Sequence, residues 1–407
     1  MNEAANRNGS KAARKNNKTE SNGGSARTNG HRRPVLITGG AGFIGSNLAH
    51  RLLASGERVI IFDNLSRPGV ELNLRWLRSL YPNTLEVQIG DVRDFRTLLT
   101  AVSRASHVFH LAAQVAVTTS LKDPIFDFEV NTRGTLNLLE ALRTQKNPPP
   151  LLFTSTNKVY GDLAHLELTP DSTRYCPTDT GILSRGVSEE TQLDFHSPYG
   201  CSKGIADQYV LDYARTFDLP TTVFRMSCIY GPHQFGNEDQ GWVAHFLIRA
   251  VNEEPITIYG DGRQVRDVLF VEDLVSAFLL ARENLPAVVG NAFNIGGGPA
   301  NTTSLLELVG RLERMLNRPC KLDFDTIRRG DQPYYVSDTT KFREATGWSP
   351  EVGIREGLDR LHGWILESSG RLLLAVTAHQ ASQPLLNVPA LSGGSSDGRA
   401  AISGVRK

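Results

Sequence analysis

Tyr199 and Lys203 stand four residues apart in the run Tyr199-Gly200-Cys201-Ser202-Lys203. On a helix that spacing puts a phenol and an ammonium on one face. A phenol with a pKa near ~10 is a poor base at neutral pH, and a neighbouring cation favours its anion. The pair suits removal of a proton from a substrate hydroxyl. Thr156 directly follows the apolar run Leu151 to Ser155, where its hydroxyl can orient the oxygen that loses the proton. Alone, Tyr-x-x-x-Lys is common, and two surface residues on a helix look the same. A second set of residues gives it weight. Thr38-Gly39-Gly40-Ala41-Gly42-Phe43-Ile44-Gly45 joins an apolar run, Val35 to Thr38, to a helical stretch. Glycines let the backbone turn tightly and approach a pyrophosphate with no Cβ in the way. The helix N-terminus behind them offers unpaired N–H groups and a positive dipole end. Asp63 closes the next apolar run, near the ~20-residue offset at which a carboxylate meets the ribose hydroxyls of a dinucleotide. A carboxylate there repels a 2′-phosphate, so NAD is favoured over NADP; Arg67 is the nearby residue that favours the reverse.

These residues need elements to position them. Val35 to Thr38 reads as a buried strand and Phe43 to Ala54 as a helix. Further strands are predicted at Arg58 to Phe62, Leu85 to Ile89, His107 to Leu111, Leu151 to Ser155 and Thr221 to Phe224, with a long helix over Tyr199 to Thr216. Continuous apolar strands spaced by helices imply a parallel sheet covered on both faces. The fold class is α/β, a Rossmann-type doubly wound parallel sheet. Thr156 then lies at the carboxyl edge, where ligands bind in such sheets. Beyond about 230 the alternation breaks up, which predicts a smaller C-terminal substrate-binding lobe. The expected division is a basic tail over 1–32, a cofactor domain carrying the catalytic residues over 33–230, a mainly substrate-binding lobe over 231–368, and a second tail over 369–407. Both tails read as disordered from their polar composition. In the second, Leu372 to Val376 is too short for a membrane anchor and suits the end of a helix.

Bulk composition narrows the classes. The 407 residues carry a formal net charge of +1, which gives no global drive toward nucleic acid or membrane. The basic first tail lacks aromatics for stacking on bases, so no nucleic-acid partner is expected. The four cysteines, Cys176, Cys201, Cys228 and Cys320, form no Cys-x-x-Cys pair. Neither a disulfide framework nor a metal site is expected, and a reducing compartment fits. No apolar run approaches the ~18 residues that span a bilayer, and the N-terminus lacks a signal-peptide core. The expected setting is the cytoplasm.

With these residues assembled, the chain resembles the extended short-chain dehydrogenases/reductases, the NAD-dependent sugar epimerases and dehydratases, over about 33 to 365. The resemblance rests on the glycine loop, Asp63, Asp91-Val92, His110-Leu111-Ala112-Ala113-Gln114, Asn131-Thr132-Arg133-Gly134-Thr135, and the Thr156/Tyr199/Lys203 set. It implies NAD as cofactor and a nucleotide sugar as substrate. It also implies that Gly39, Gly42, Phe43, Ile44, Gly45, Asp63, Asn64, Asp91, Val92, Leu111, Ala112, Ala113, Gln114, Asn131, Tyr199 and Lys203 line the cofactor, with Lys203 on the nicotinamide ribose. Ser227 is expected to flank the nicotinamide. Arg266, in Gly260-Asp261-Gly262-Arg263-Gln264-Val265-Arg266-Asp267, is expected to hold the nucleotide diphosphate through its bidentate fork. Members commonly dimerise through the helix carrying Tyr and Lys, which implies a homodimer or homotetramer.

The residues after Thr156 narrow the reaction. Sugar 4,6-dehydratases resemble one another in having Thr-Asp-Glu there, and related decarboxylases also place a Glu nearby. This chain has Thr156-Asn157-Lys158. Asn is no general acid, and Lys is a poor replacement for a carboxylate base. Oxidation and re-reduction at one carbinol remain. Four stretches, Gln114 to Ser120, Ser155 to Asp162, Leu193 to Lys203, and Gln234-Phe235 with Asp239 to Val243, resemble the branch that inverts C2 of CDP-paratose and CDP-tyvelose. That likeness implies a 2-keto sugar intermediate and a cofactor regenerated in each turnover. Asn157, Lys158, His196 and Cys228 join Thr156 and Arg266 as candidate substrate contacts; at Cys228 many wider relatives have Asn. The competing readings are another nucleotide-sugar epimerase, such as a UDP-hexose 4-epimerase, and a non-catalytic NAD-binding redox sensor.

Overall fold

A computed structural model describes residues 33–328 and 330–381, with side chains through 368. The expected tail over 1–32 lies outside the described residues, as does 382–407. Residues 369–381, expected to be disordered, instead continue the last helix, Ile354–Ala381. The run Leu372 to Val376, rich in helix formers, falls inside it.

Strands β1 (Val35–Thr38), β2 (Val59–Asp63), β3 (Leu85–Ile89), β4 (His107–His110) and β5 (Leu151–Thr156) pair in parallel. Thr221–Met226 and Ala292–Ile295 extend the sheet beyond β5, giving seven strands. The spatial order runs from Ala292–Ile295 through Thr221–Met226, β5, β4 and β1 to β2 and β3. Strand β1 is flanked on opposite sides by β2 and β4, with Val35 opposite both Val59 and His107. The order therefore reverses at β1, the switch point where such sheets bind ligands.

Both faces are covered, which is why the inner strands read as unbroken apolar runs. Helices α1 (Phe43–Ala54) and α2 (Val70–Leu80) close one face, joined by Val271–Glu283. Helix α1 buries Leu48, Ala49, Leu52 and Leu53, one stripe at helical spacing. Helices α3 (Phe95–Val102), α4 (Val117–Lys122), α5 (Pro124–Phe128) and α6 (Gly134–Arg143) follow in the chain. With the long helix Ser197–Phe217, α3 and α6 pack on the other face. A π-turn, Glu129–Arg133, links α5 to α6.

The second lobe has its own core, formed by Trp242–Val251, Leu305–Leu316 and the last helix against short strands. The expected boundary at 230/231 is crossed. Ala292–Ile295 returns to the main sheet beside Thr221–Met226, and Val271–Glu283 returns to the face of α1. Those segments are as apolar as the first-lobe elements they join, so the broken alternation after 230 concealed them. Among the described residues no helix is long and apolar enough to cross a membrane.

Candidate active site

The glycine loop sits at the switch point, and its shape depends on having no side chains. Gly39 has φ +69°, and a Cβ there would lie 2.7 Å from the Ala112 backbone nitrogen. A Cβ on Gly45 would strike the Gly39 carbonyl oxygen. Gly42 caps α1 with no side-chain hydrogen bond, so the first N–H groups of Phe43, Ile44 and Gly45 stay open to an anion. Asp63 ends β2 as expected, although the strand itself runs one residue later than the sequence suggested. Its carboxylate accepts from Ala41 N at 3.0 Å and Leu65 N at 2.9 Å, which aims it at the loop. Burial pushes its pKa up. Arg67 turns to the Gln240 side chain. Asn64 donates to Asp91 at 3.0 Å, and Arg93 holds the Asp91 carboxyl down to about 2. Val92 is buried against Gly134. Leu111 and Ala112 follow β4, donating from their backbones to Thr38 at 3.0 and 3.3 Å, and Ala113 continues toward Gln114. Gln114 N donates to Asn131 Oδ1 at 2.9 Å, and Asn131 donates back to the Gln114 carbonyl at 3.0 Å. A cradle that a methyl group would fill, an uncapped helix start and an acid at the end of β2 fit a dinucleotide.

Tyr199 and Lys203 lie in the first two turns of Ser197–Phe217, both buried, beneath Thr156 at the end of β5. Thr156 acts on the Tyr199 phenol, favouring its anion against the effect of burial. Thr156 Oγ1 also accepts from Lys158 N at 3.2 Å and donates to Asn157 Oδ1 at 3.3 Å. One expectation needs correcting. The Lys203 ammonium does not meet the Tyr199 phenol; it donates to the Thr154 carbonyl at 2.6 Å and lies 4.2 Å from the Phe153 ring centroid. Tyr199 is accordingly pushed up to about 12, chiefly by burial, not lowered. Burial takes Lys203 down to about 7. Helical spacing aligned the two residues but left the direction of the long lysine chain to the neighbouring strand.

The remaining candidates divide. Lys158 donates to the Gly330 carbonyl at 3.0 Å and faces Asp331 at 3.8 Å; burial brings it down to about 8. Arg266 lies on Val265–Phe270 and donates to the same Asp331 oxygen at 2.6 Å. Cys228 Sγ accepts from Trp242 Nε1 at 3.3 Å, and both Lys158 and Arg266 act on it electrostatically. These three form one cluster. Asn157 is buried and turned to Gln332, donating at 3.1 Å, so its amide bridges to the loop at 330–332. His196 precedes the helix with an exposed side chain that makes no capping hydrogen bond to it, outside the buried set. Ser227 donates to Asp267, which anchors it beside Gly296. Sequence reasoning missed Gly330, Asp331 and Gln332, the loop that closes over Asn157 and Lys158. It also missed the buried Asp127 and Ser202 beside Tyr199. The available signal for that loop was Gly-Asp between polar residues, which also marks an ordinary turn. Among the described residues, no group of His, Cys, Asp or Glu could hold a metal ion.

Residues 35–296 match the model of the NAD dependent epimerase/dehydratase family. CDP-paratose 2-epimerase of Salmonella typhi is 47% identical over 337 residues, 81% of this chain and 98% of that protein. UDP-glucose 4-epimerase of Mycolicibacterium smegmatis is 35% identical over 325 residues, 80% of this chain and 96% of that protein. The structure of the UDP-glucose 4-epimerase of Thermus thermophilus in complex with NAD is similar at a TM-score of 0.68 and 30% identity, covering 82% of this chain and 99% of that one. The chain is a member of the NAD dependent epimerase/dehydratase family, with NAD as its cofactor.

Proposed function

We propose that the protein is a nucleotide-sugar epimerase that inverts C2 of a CDP-dideoxyhexose, interconverting CDP-paratose and CDP-tyvelose through a 2-keto sugar. The observation that carries this reading is the 47% identity to a CDP-paratose 2-epimerase across 98% of that protein. The geometry after Thr156 supports epimerisation over elimination. Asn157 is committed to Gln332, Lys158 to Gly330, and the Asp331 carboxylate to Arg266 and Lys158. No free carboxylic acid stands at those positions to protonate a departing hydroxyl.

In the proposed cycle Tyr199 accepts the proton of the C2 hydroxyl while Thr156 orients that oxygen. NAD, when bound, supplies the hydride acceptor and then the hydride donor for C2. Gly39, Gly42, Gly45 and Asp63 would hold it, with Lys203 as the cation beneath the Tyr199 site. The C2–H and O–H bonds break in the first half-reaction and re-form in the second, on the opposite face of the sugar, so nothing is consumed. Arg266 and Lys158 anchor the diphosphate while the hexose turns over. Catalysis then rests on positioning and on control of one proton.

Purified protein incubated separately with CDP-paratose, CDP-tyvelose and UDP-glucose provides the test, with C2 and C4 configuration followed by NMR. Inversion at C2 of either CDP sugar is expected; turnover of UDP-glucose alone would replace this reading with a 4-epimerase.

We further propose that the protein is a homodimer and works in the cytoplasm. Phe128 and Tyr209, 43% and 41% exposed, line a groove of about 670 Å³ together with Phe95 and Arg133, and Ile125, on the same helix as Phe128, is 75% exposed. Arg133 and Glu140 both edge this groove, so a two-fold related copy can bring unlike charges together while covering the apolar surface. Light scattering should give twice the chain mass, falling to one with Phe128→Glu and Ile125→Glu together; a monomeric wild type would refute this. Four free cysteines support a reducing compartment.

A further inference from the structure

We propose that Asp127 is a positioning residue for proton transfer: a buried carboxylate that holds the Tyr199–Lys203 turn through Ser202 and gives Lys203 a counter-charge not bound to another cation among the described residues. The proposal rests on the reading of Tyr199 and Lys203 as the proton-handling pair.

Asp127 lies in α5, one residue before its end, with no exposed surface. Ser202, one residue before Lys203 and three after Tyr199, donates its hydroxyl to Asp127 Oδ2. Asn131, one turn along the same helical segment, donates to Oδ1 at 3.2 Å. The orientation of the Asn131 amide is set by the Gln114 backbone, which both gives and accepts a hydrogen bond. Both Asp127 oxygens therefore face donors, the arrangement that suits a carboxylate.

The groups facing Lys203 come from four elements. Phe153 and Thr154 on β5 give a ring face and a carbonyl. His110 on β4 is bonded to Thr38 and Thr135, and burial keeps it neutral, down to about 3. Asp207, on the same helix, is already bound through both oxygens to Arg225 at 2.9 and 3.0 Å. Among the described residues no cation is bonded to Asp127, from α5, and it acts electrostatically on Lys203, Tyr199 and Cys201. A lysine in so dry a site stays charged only with an anion facing it. The ammonium and the phenol are thus served by one carboxylate, which favours the cation and opposes the phenolate.

Asp127→Asn removes the charge and keeps an acceptor for Ser202. Ser202→Ala removes the hydrogen bond and keeps the charge. In the holoenzyme with CDP-paratose, the alkaline limb of kcat/KM for Asp127→Asn should move to lower pH. Its rate ratio between about pH 6 and about pH 8 should rise about tenfold over wild type, the factor for one pKa unit. Ser202→Ala should lose rate with the limbs unmoved. A second readout needs no sugar: phenolate ultraviolet absorbance of each holoenzyme minus that of its Tyr199→Phe counterpart, titrated with base. Tyr199 should ionise at lower pH in Asp127→Asn. If wild type turns over no CDP sugar but this shift is present, only the substrate assignment falls. If Asp127→Asn slows the enzyme with both the pH limbs and the phenolate titration unmoved, or Ser202→Ala moves them equally, Asp127 is merely structural. Should Asp127→Asn not fold, Asp127→Ser, smaller and also neutral, is held to the same outcomes.

Discussion

Replacing Tyr199 with phenylalanine deletes one oxygen from a ring that is otherwise 9% exposed. The fold should hardly notice. The Tyr199 backbone N–H stays on Ser120 Oγ at 3.1 Å, and Thr156 keeps Lys158 N and Asn157 Oδ1 as partners. No buried polar atom is stranded, so the stability change should stay within about 1 kcal/mol. Chemistry should suffer far more. With Tyr199 at about 12, forming its phenolate at neutral pH costs about 7 kcal/mol. Tyr199 must therefore give up its own proton before it can accept that of the C2 hydroxyl, and only that phenolic oxygen can take part. Loss of a positioned general base costs about 10²- to 10⁴-fold in rate, or about 3 to 5.5 kcal/mol of barrier. Three measurements on one preparation decide the matter: the melting temperature, the NAD released on denaturation, and kcat on CDP-paratose. The expected result is an unchanged first and second with a kcat lower by at least a hundredfold. A variant that keeps kcat within tenfold of wild type, NAD still bound, would show that the proton goes elsewhere.

Other outcomes follow from the same structure. His107 and His110 are buried in the sheet, and burial holds both at about 3. The unfolded chain takes up their protons near its ordinary ~6.5 while the native state stays neutral, so stability is complete above that pH and is lost as pH falls toward ~3. Between about pH 7.5 and about pH 5.5 the two together should cost about 3 kcal/mol; a melting temperature flat across that window would refute their burial as neutral rings. Gly45→Ala places a methyl against the Gly39 carbonyl and 2.6 Å from the Gly40 Cα. NAD recovered from that protein should correspond to an affinity lower by about tenfold or more. Gly363→Ala, whose Cβ meets nothing within 4 Å, should retain it fully. Arg266→Lys removes a planar fork, so KM for the CDP sugar should rise about tenfold with NAD content unchanged. An unaltered KM would remove Arg266 from the diphosphate site.

Much of the first lobe could be read without coordinates because its signals are local. A strand, a glycine turn, a helix and an acid at the end of the next strand form one βαβ unit, so Val35 to Asp63 carries the cofactor cradle in a single stretch. The boundaries of β2, β4 and β5 moved by a residue at most, which brought Asp63 and Thr156 just inside their strands. Helical spacing likewise put Tyr199 and Lys203 on one face, and Asn157-Lys158 could be seen to lack carboxylates.

Tertiary structure alone decided where the long side chains point and what closes over them. Lys203 could reach several acceptors, and the Thr154 carbonyl receives it because β5 lies beside the helix in the packed fold. Lys158 meets Gly330 and Asp331, and Asn157 meets Gln332, across more than 170 residues of chain. Those contacts depend on the register of Val265–Phe270, which pairs Arg266 with Tyr335 and Val268 with Cys228 and so draws the 330–332 loop to the site. The return of Ala292–Ile295 to the main sheet is of the same kind. Periodicity states which residues share a face over a few turns; partners beyond that are chosen by whole-chain packing, where charge, burial and reach are settled together.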